Sequence, residues 1–295
     1  MGRGNFTHTF TIIYLHTEET TCLLTQPPDM KILVFMSDNR PIDSNIHTAN
    51  YNSLVAYINK AYCNKHGYDF VYIQPYYKNP ELLTLDVCKD SNGKFRHASW
   101  AKLLATQHCY NTMSYDYVVY IDSDCIFKNF DISLESVITN PIYKDINIIY
   151  ASNLPWHQLP CAGFFIMKVN NETKKFIESW YNYNLPLYES IEWKNTVAMA
   201  TKYCAYDWKP DTHWEQDALW CMIANSTVPS FKYIDENSFQ ENDTQFLRHI
   251  CHVDLHNRYS YFKQLTEKLV SIHGSYESII STIHTINLDT STWDV

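Results

Sequence analysis

The sequence of 295 residues predicts an α/β fold with a Rossmann-like, mostly parallel central sheet flanked by helices. Short apolar runs alternate with segments of helical period through the first part of the chain, which is typical of strand-helix-strand units. The densest apolar run, Tyr117–Ile121, leads directly into Asp122 and Asp124. Because parallel sheets bind ligands beyond the carboxyl ends of their strands, we expect the functional site at that edge.

The first strand-helix-strand unit is predicted to begin just after Met30. The apolar run Ile32–Met36 is typical of a buried parallel strand, and residues 1–29 are expected to form an extension outside the core. The run ends in the polar loop Ser37–Pro41, which would face a ligand, so Asp38 is a candidate ligand contact. The unit continues with a predicted helix over 51–63, with Gly67 near its C-cap, and a predicted strand over 68–73.

The remaining elements are predicted from the same patterns. Residues 74–96 are polar and contain Pro75, Pro80 and Gly93, so they are predicted to form a long connection. Helical period returns over 100–109, whereas the β-branched and aromatic residues of 117–121 favour a strand. Downstream, the sequence predicts strands over 146–151 and 164–169 and helices over 173–183 and 217–224.

Composition disfavours several classes of partner. The net charge of -9 would repel a phosphate backbone, so no nucleic-acid partner is expected. No apolar stretch reaches the length of about eighteen residues that a membrane span needs, so none is expected. The nine cysteines form no C-x-x-C pair, which favours a soluble, cytoplasmic protein over one in the Golgi or another secretory lumen. Four N-x-[ST] sequons weigh slightly against that assignment.

Asp122 and Asp124 are candidate metal ligands. Residues i and i+2 of an extended backbone point to the same side, roughly 6.5 to 7 Å apart, so both carboxylates can converge on one cation. Hard cations such as Mn²⁺ and Mg²⁺ prefer carboxylate and phosphate oxygens, and such an ion would bridge the protein to a diphosphate. The alternative is an aspartate pair in a turn, where the side chains cap a helix or are solvated.

Four segments resemble glycosyltransferase motifs. Tyr117–Phe127, with the sequence YVVYIDSDCIF, resembles the D-x-D strand of GT-A glycosyltransferases. Ser99–Lys102 resembles the Trp-x-Lys element of glycosyltransferase family 34, which comprises fungal galactosyl- and mannosyltransferases and plant xyloglucan xylosyltransferases. Cys161–Lys168 resembles the Ala-Gly-Phe strand of that family, and Glu215–Leu219 resembles its acidic-Gln-x-Ala-Leu motif. The resemblance spans residues 31–262, and family 8, which shares the scaffold, is a close neighbour.

The resemblance implies a metal-dependent glycosyltransferase of GT-A type that acts with retention of configuration. The donor would be a nucleotide sugar, with UDP preferred over GDP, the acceptor a glycan or glycoprotein, and the cofactor Mn²⁺ or Mg²⁺. Residues 30–295 would form one catalytic domain, with a nucleotide-sugar-binding half over 30–130 and an acceptor-binding half with C-terminal elements over 131–295. The implied donor-binding residues are Asp38, Trp100, Lys102, Asp122, Ser123, Asp124, Ala162 and Gly163.

Two of the resembling motifs also have plain physical interpretations. Gly163 interrupts an apolar strand, where a glycine permits close backbone approach of a sugar or marks a bulge or tight packing. Glu215, Gln216 and Asp217 open a predicted helix, where acids are often only partners of the helix dipole. The resemblance instead implies that they are catalytic, with the amide oxygen of Gln216 facing the developing oxocarbenium ion and a carboxylate orienting hydroxyl groups.

A histidine cluster in the C-terminal part supplies candidates for a third metal ligand. The resemblance implies a His after the last strand, and His249 is favoured over His252, which stands where the family has a Gly. The i, i+3 and i, i+4 spacing of His249, His252 and His256 also leaves a helical zinc site open. Arg258 and Lys263 follow, either to reach donor phosphates or as solvated side chains.

Two other functions compete with the glycosyltransferase hypothesis. A haloacid-dehalogenase-like phosphatase also places D-x-D after an apolar strand, but near the start of its core, whereas a full strand-helix-strand unit precedes Asp122 here. A non-catalytic sugar-nucleotide-binding protein of the same fold is the second alternative. The presence of both aspartates and of Glu215-Gln216-Asp217 argues against it.

Overall fold

The structure is a computed structural model, and it describes residues 30–76, 88–89, 95–153, 157–184, 186–203, 214–234, 245–251 and 253–292. The strands are β1 (Ile32–Ser37), β2 (Asp69–Tyr76), β3 (Cys88–Lys89), β4 (Phe95–Arg96), β5 (Tyr117–Ile121), β6 (Cys125–Phe127), β7 (Ile148–Asn153), β8 (His157–Lys168), β9 (Phe231–Tyr233), β10 (Leu247–His249) and β11 (His284–Asp289). The α-helices are α1 (Tyr51–His66), α2 (Ala101–Thr112), α3 (Leu134–Ile138), α4 (Asn171–Tyr181), α5 (Ile191–Tyr203), α6 (Glu215–Ala224), α7 (Leu255–His273) and α8 (Tyr276–Ile280). Short 3₁₀ helices cover Ala98–Trp100, Pro141–Tyr143 and Thr290–Thr292.

Seven strands form the central sheet in the order β11-β2-β1-β5-β8-β7-β9. Strand β8 pairs antiparallel with both of its neighbours, whereas the other pairs in this sheet are parallel. The fold class predicted from the sequence is therefore confirmed. The division of the chain into two halves at residue 130 stays a prediction. None of the helices in the described ranges combines the length and the apolar character needed to cross a membrane.

Helices cover both faces of the sheet. In β1, Ile32, Val34 and Met36 pack with α1, α7 and α8, whereas Leu33 and Phe35 pack with α2, α4 and α6. This alternation follows from the two-residue period of a strand, and burial on both faces explains why the run is continuously apolar. Polar groups that face a ligand are therefore expected at the ends of the strands.

Every strand and helix predicted from the sequence is present, with some shifted bounds. Helix α1 begins after Asn50, whose side chain accepts a hydrogen bond from Ser53 N, and it ends at Gly67 with a φ of 78°. This left-handed conformation is the reason for the glycine C-cap. Strand β8 begins at His157 rather than near Phe164. Its first residues were not predicted as strand, because they include a proline and lack a continuous apolar run.

Several elements were not predicted, and weak apolar patterns explain part of this. Helix α7 spans 19 residues, yet among them only Phe262 and Thr266 are buried. In the predicted connection over 74–96, β2 extends to Tyr76 and β3 pairs antiparallel with β4. The other residues of that connection, 77–87 and 90–94, lie outside the described residues, as does the predicted extension over 1–29.

The alternative of a helical zinc site that includes His249 is wrong. His249 ends strand β10, and α7 begins only at Leu255, so His249 and His256 do not share a helix. His252 lies outside the described residues. His249 is therefore not part of a helical ligand pattern.

A buried asparagine holds the strand that follows the aspartate pair. Asn59 of α1 donates from Nδ2 to the carbonyl oxygen of Cys125 over 3.0 Å and accepts from Phe127 N over 3.1 Å. Both partners belong to β6, which pairs antiparallel with β10. Asn59 therefore links α1 to the two-stranded sheet that carries His249 at its end.

We predict that Asn59→Ala lowers the free energy of unfolding by about 2 to 3 kcal/mol, because two buried backbone groups of β6 lose their partners. Chemical denaturation measures this change. The matched control is Asn64→Ala in the same helix, where the side chain is exposed, and its effect should stay within about 0.5 kcal/mol. Equal effects of the two substitutions would contradict the role of Asn59 in linking α1 to β6.

Candidate metal centre

A cavity of about 680 Å³ opens where β1 and β5 end. Its lining comprises the loop Ser37–Pro41 after β1, Tyr51 at the start of α1, the segment His97–Ser99 before α2, and Tyr120 with Asp122–Asp124 at the end of β5. This is the edge at which a parallel sheet is expected to bind its ligand. The loop after the first strand and the aspartate pair therefore face the same space.

Asp122, Asp124 and His249 form a candidate metal centre at this cavity. Each offers one ligand atom, and the three atoms lie within 4.8 Å of one another. Carboxylate oxygens together with an imidazole nitrogen suit Mn²⁺, and the two carboxylates also suit Mg²⁺. The chemistry of this donor set fits the divalent cation that the sequence motifs imply.

Backbone pairing brings His249 to the two aspartates. Strand β10 pairs antiparallel with β6, which places His249 opposite Cys125. Ile250 N donates to the carbonyl oxygen of Asp124 over 2.9 Å, and Asp122 N donates to that of Gly163 over 2.8 Å. Main-chain hydrogen bonds therefore fix all three side chains relative to one another, as a pre-organised metal site requires.

The carboxylate of Asp124 lies between two cationic groups. His249 Nε2 is 2.9 Å from its Oδ1, and Arg258 Nη1 is 3.0 Å from its Oδ2. Burial raises the pKa of Asp124, but the charges of His249 and Arg258 outweigh burial and lower this pKa to about 2. Burial lowers the pKa of His249, but Asp124 raises it well above the ordinary value. A bound cation would replace the proton of this imidazolium group.

The carboxyl of Asp122 responds differently from that of Asp124, because burial outweighs its cationic neighbours. Burial raises the pKa of its carboxyl, the charges of Asp124 and Glu215 raise it further, and Lys102 and His249 only partly offset this. The hydroxyl of Tyr120 also donates to this carboxylate. The net result is a raised pKa, of which burial is the largest cause, and a cation bound to this carboxylate would favour its ionised form.

Lys102, which the resemblance implied as a donor contact, is placed behind the cavity lining. Its ammonium group is 3.1 Å from Asp122, 2.7 Å from Glu215 and 3.1 Å from the carbonyl oxygen of Ala162. Burial lowers the pKa of Lys102, but the two carboxylates outweigh it and raise this pKa above its ordinary value. The side chain therefore stays charged and joins the metal ligand to the start of α6.

Trp100 and Ser123 occupy different positions relative to the cavity. The indole ring of Trp100 is buried, and the guanidinium group of Arg96 lies 4.0 Å from its centroid. Ser123 lines the cavity, and its hydroxyl accepts a hydrogen bond from Arg40 Nη2 over 3.2 Å. Trp100 thus packs in the core beside the site, whereas Ser123 faces the space for a ligand.

The Glu215-Gln216-Asp217 motif forms the first turn of α6, and it contacts the backbone of Ala162 in β8. The Oε1 atom of Gln216 accepts a hydrogen bond from Ala162 N over 2.9 Å, which fixes the orientation of the amide. Burial raises the pKa of Glu215, but the charge and hydrogen bond of Lys102 outweigh burial and lower it. Asp217 is also buried. The motif and the candidate ligand Asp122 therefore both contact one buried cation, the ammonium group of Lys102.

The side chains of Asp122 and His249, two of the candidate metal ligands, leave no room for a side chain at Gly163. A Cβ atom there would lie 2.7 Å from His249 Cε1, 2.9 Å from Asp122 Oδ2 and 3.3 Å from Cys161 Sγ. Such contacts are too short, so no larger residue fits without displacing the ligands. The groups that lie closest to Gly163 are therefore the side chains of His249, Asp122 and Cys161.

Sequence reasoning missed Arg40 and left Arg258 and Lys263 undecided. Arg40 lies in the loop that was predicted to face a ligand, so its position was a usable signal. Arg258 contacts Asp124, whereas Lys263 donates to the carbonyl oxygen of Ile46 over 2.6 Å. Arg258 therefore belongs to the metal centre, and Lys263 serves the loop before α1.

Comparisons with known proteins relate the fold to glycosyltransferases. The sequence matches no protein-family model and no curated protein. A glycosyltransferase involved in glycosylation of the major capsid of PBCV-1 is similar over 79% of this chain and 99% of its own, with 13% identity and a TM-score of 0.51. This similarity, together with the sheet topology, shows that the chain has the GT-A fold.

Two further solved structures are more distant. The glycosyltransferase GlyE of Streptococcus pneumoniae TIGR4 is 10% identical, with a TM-score of 0.42, over 85% of this chain and 64% of its own. A Drosophila β1,4-galactosyltransferase 7 in complex with manganese, UDP-Gal and xylobiose is 10% identical, with a TM-score of 0.38, over 78% of this chain and 74% of its own.

We predict that Gly163→Ala weakens Mn²⁺ binding at least about 10-fold, because the added methyl group displaces Asp122 and His249. Calorimetric titration with Mn²⁺ measures this effect. The matched control is Gly67→Ala, where φ is 78° and no atom lies within 4 Å of the added methyl group. That control should lose about 1 kcal/mol of stability and keep the affinity for Mn²⁺. Unchanged Mn²⁺ binding by Gly163→Ala would contradict the metal centre.

Proposed function

We propose that this chain is a metal-dependent glycosyltransferase that moves a sugar from a nucleotide-sugar donor, UDP-linked in preference to GDP-linked, to a glycan or glycoprotein acceptor. The observation that carries the proposal is the convergence of Asp122, Asp124 and His249 at the cavity of a GT-A fold. Family 34 is the proposed family, with family 8 as its neighbour. A reducing compartment such as the cytoplasm is favoured by the free thiols of Cys63, Cys109, Cys125, Cys161, Cys221 and Cys251.

The metal centre would hold the donor through its diphosphate. Asp122, Asp124 and His249 would bind Mn²⁺ or Mg²⁺ and leave coordination positions for phosphate oxygens. The ion would supply positive charge to the departing diphosphate as the glycosidic bond breaks. Arg258, which forms an ion pair with Asp124, would offer further N–H groups as hydrogen-bond donors to the diphosphate.

Gln216 would act at the anomeric carbon of the donor sugar. Its Oε1 accepts from Ala162 N, so a second lone pair of this oxygen can face developing positive charge. An amide takes no proton, whereas an inverting enzyme needs a general base opposite the leaving group. This motif therefore favours retention, with the acceptor attacking from the face that the diphosphate leaves.

The two alternative functions differ from this proposal in measurable ways. The GT-A fold does not support the phosphatase alternative, which would release phosphate from an ester without a sugar nucleotide. A non-catalytic binding protein of the same fold would bind the nucleotide with the cation but would neither hydrolyse nor transfer the sugar. Hydrolysis of the donor in the absence of an acceptor separates the enzyme from the binding protein.

We predict that UDP and Mn²⁺ together raise the melting temperature more than either does alone, because the protein ligands form an incomplete shell that phosphate oxygens finish. Thermal unfolding with and without EDTA measures this. Asp124→Asn should abolish sugar transfer while the circular dichroism spectrum stays unchanged. An equal shift of the melting temperature in EDTA, or a fully active Asp124→Asn variant, would contradict a role for the metal.

We predict that Gln216→Ala slows transfer by about 10- to 1000-fold with little change in donor affinity, because the amide acts mainly in the transition state. Steady-state kinetics gives the rate, and proton NMR of the new anomeric signal gives the stereochemistry. An α-linked donor should give an α-linked product. A β-linked product would overturn both retention and the placement of Gln216.

A further inference from the structure

The two oxygens of the Asp122 carboxylate have different surroundings. Oδ1 accepts a hydrogen bond from the hydroxyl of Tyr120 and lies 3.1 Å from the ammonium group of Lys102. A Cβ atom at Gly163 would lie 2.9 Å from Oδ2 and 2.7 Å from His249 Cε1, so Oδ2 lies on the side of the candidate ligand His249. The carboxylate therefore turns Oδ1 to two buried donors and Oδ2 to the candidate metal centre.

The two donors use the whole acceptor capacity of Oδ1. An ionised carboxylate has about four lone-pair sites, two on each oxygen. The O–H group of Tyr120 and one N–H group of Lys102 fill the two sites of Oδ1. A cation could bind this oxygen only if one of the donors moved away, so Asp122 has Oδ2 to offer to a metal ion.

Lys102 is held in place by its other contacts. Its ammonium group has three N–H donors, and it has three partners, which are Asp122, Glu215 Oε1 at 2.7 Å and the carbonyl oxygen of Ala162 at 3.1 Å. Only 3% of the side chain is exposed. Movement away from Asp122 would also break the contacts with Glu215 and Ala162, which are buried.

Tyr120 is fixed by strand geometry and by packing. It precedes Asp122 by two residues at the end of β5, so both side chains point to the same side of the extended backbone. Its buried ring lies 5.3 Å from that of Phe35 and 5.2 Å from that of Phe165, between centroids. The ammonium group of Lys102 lies 4.8 Å from the centroid of the Tyr120 ring. The phenol group therefore has little room to turn away from Asp122.

The second aspartate is restricted in a similar way. Arg258 Nη1 lies 3.0 Å from Oδ2 of Asp124, whereas His249 Nε2 lies 2.9 Å from Oδ1. A cation that replaces the proton of His249 would therefore meet Oδ1 of Asp124 and Oδ2 of Asp122. Each aspartate would supply one oxygen, and the imidazole would supply one nitrogen.

We infer that the hydroxyl of Tyr120, together with Lys102, restricts Asp122 to binding a cation through Oδ2 alone and thereby selects Mn²⁺ or Mg²⁺ over Ca²⁺. This inference rests on the proposed function, which places a divalent cation at these residues. Mg²⁺ and Mn²⁺ take about six ligands in octahedral geometry, whereas Ca²⁺ takes roughly six to eight and often binds both oxygens of a carboxylate. Aspartates that each give one oxygen suit the first two ions and leave Ca²⁺ short of ligands. Tyr120 is a positioning residue, because it acts through Asp122.

The test compares the dissociation constants of Mn²⁺, Mg²⁺ and Ca²⁺, measured by calorimetry on the full chain in the presence of UDP. The wild type should bind Mn²⁺ at least about 10-fold more tightly than Ca²⁺. Tyr120→Phe removes only the hydroxyl and frees one lone pair of Oδ1. This variant should bind Ca²⁺ about 5- to 10-fold more tightly than the wild type, whereas its affinities for Mn²⁺ and Mg²⁺ should stay within about 3-fold.

The matched control is Tyr150→Phe in β7. Tyr150 is also a fully buried tyrosine, and its ring packs against Phe165, as that of Tyr120 does. Its hydroxyl has no hydrogen-bond partner within the described part of the chain. Loss of this hydroxyl should leave all three affinities within about 2-fold. Melting temperatures in EDTA, where no cation contributes, should stay within a few degrees of the wild type for both variants.

The affinity of Tyr120→Phe for Ca²⁺, relative to Mn²⁺, decides the inference. A parallel loss for all three ions would show that Tyr120 only supports the site, and a parallel gain would show that its hydroxyl only lowers the charge on Asp122. Either result, unchanged affinities, or a wild type that binds Ca²⁺ as tightly as Mn²⁺ would overturn the inference and leave the proposed function standing. Failure of the wild type to bind Mn²⁺ with UDP would overturn the proposed function and the inference with it.

Discussion

One buried cation, the ammonium group of Lys102, joins the carboxylate of Asp122 after β5 to that of Glu215 at the start of α6. This group contacts Asp122, Glu215 and the carbonyl oxygen of Ala162, and only 3% of the side chain is exposed. An unpaired buried carboxylate costs roughly several kcal/mol, so the ion pair with Lys102 stabilises the buried Glu215 beside the partly exposed Asp122. The same contacts tie α2 to β5, β8 and α6, and they set the distance between the metal ligands and Gln216.

Charge compensation extends around the whole cavity and gives a reason for joint binding of cation and nucleotide. Four carboxylates contact cationic groups: Asp38 pairs with Arg40, Asp122 and Glu215 share Lys102, and Asp124 contacts His249 and Arg258. A divalent cation alone would leave this arrangement with excess positive charge. A nucleoside diphosphate brings the opposite charge, so the two ligands together restore the balance that either one disturbs.

The sequence predicted the parts of this molecule that have strong local patterns. The apolar runs of β1 and β5 and the aspartates after β5 could be read directly, because a doubly covered strand is continuously apolar and a ligand edge is polar. His249 was found only through its position in a resembling motif. The pair of Arg40 with Ser123 and the bridge from Lys102 to Glu215 join residues far apart in the chain, and no local period encodes such contacts. Helix α7 was missed because so few of its residues are buried.

Gly163 shows how the sheet itself builds the metal centre. Strand β8 runs antiparallel to β5, and this pairing sets the carbonyl oxygen of Gly163 against the backbone N–H of Asp122 while the space beside its Cα is filled by Asp122 and His249. From the sequence, a glycine in this apolar strand indicated either close approach of a sugar or tight packing. The structure shows tight packing, and the packing partners are the candidate metal ligands Asp122 and His249. The positions of the candidate ligands are therefore set by main-chain pairing in rigid strands.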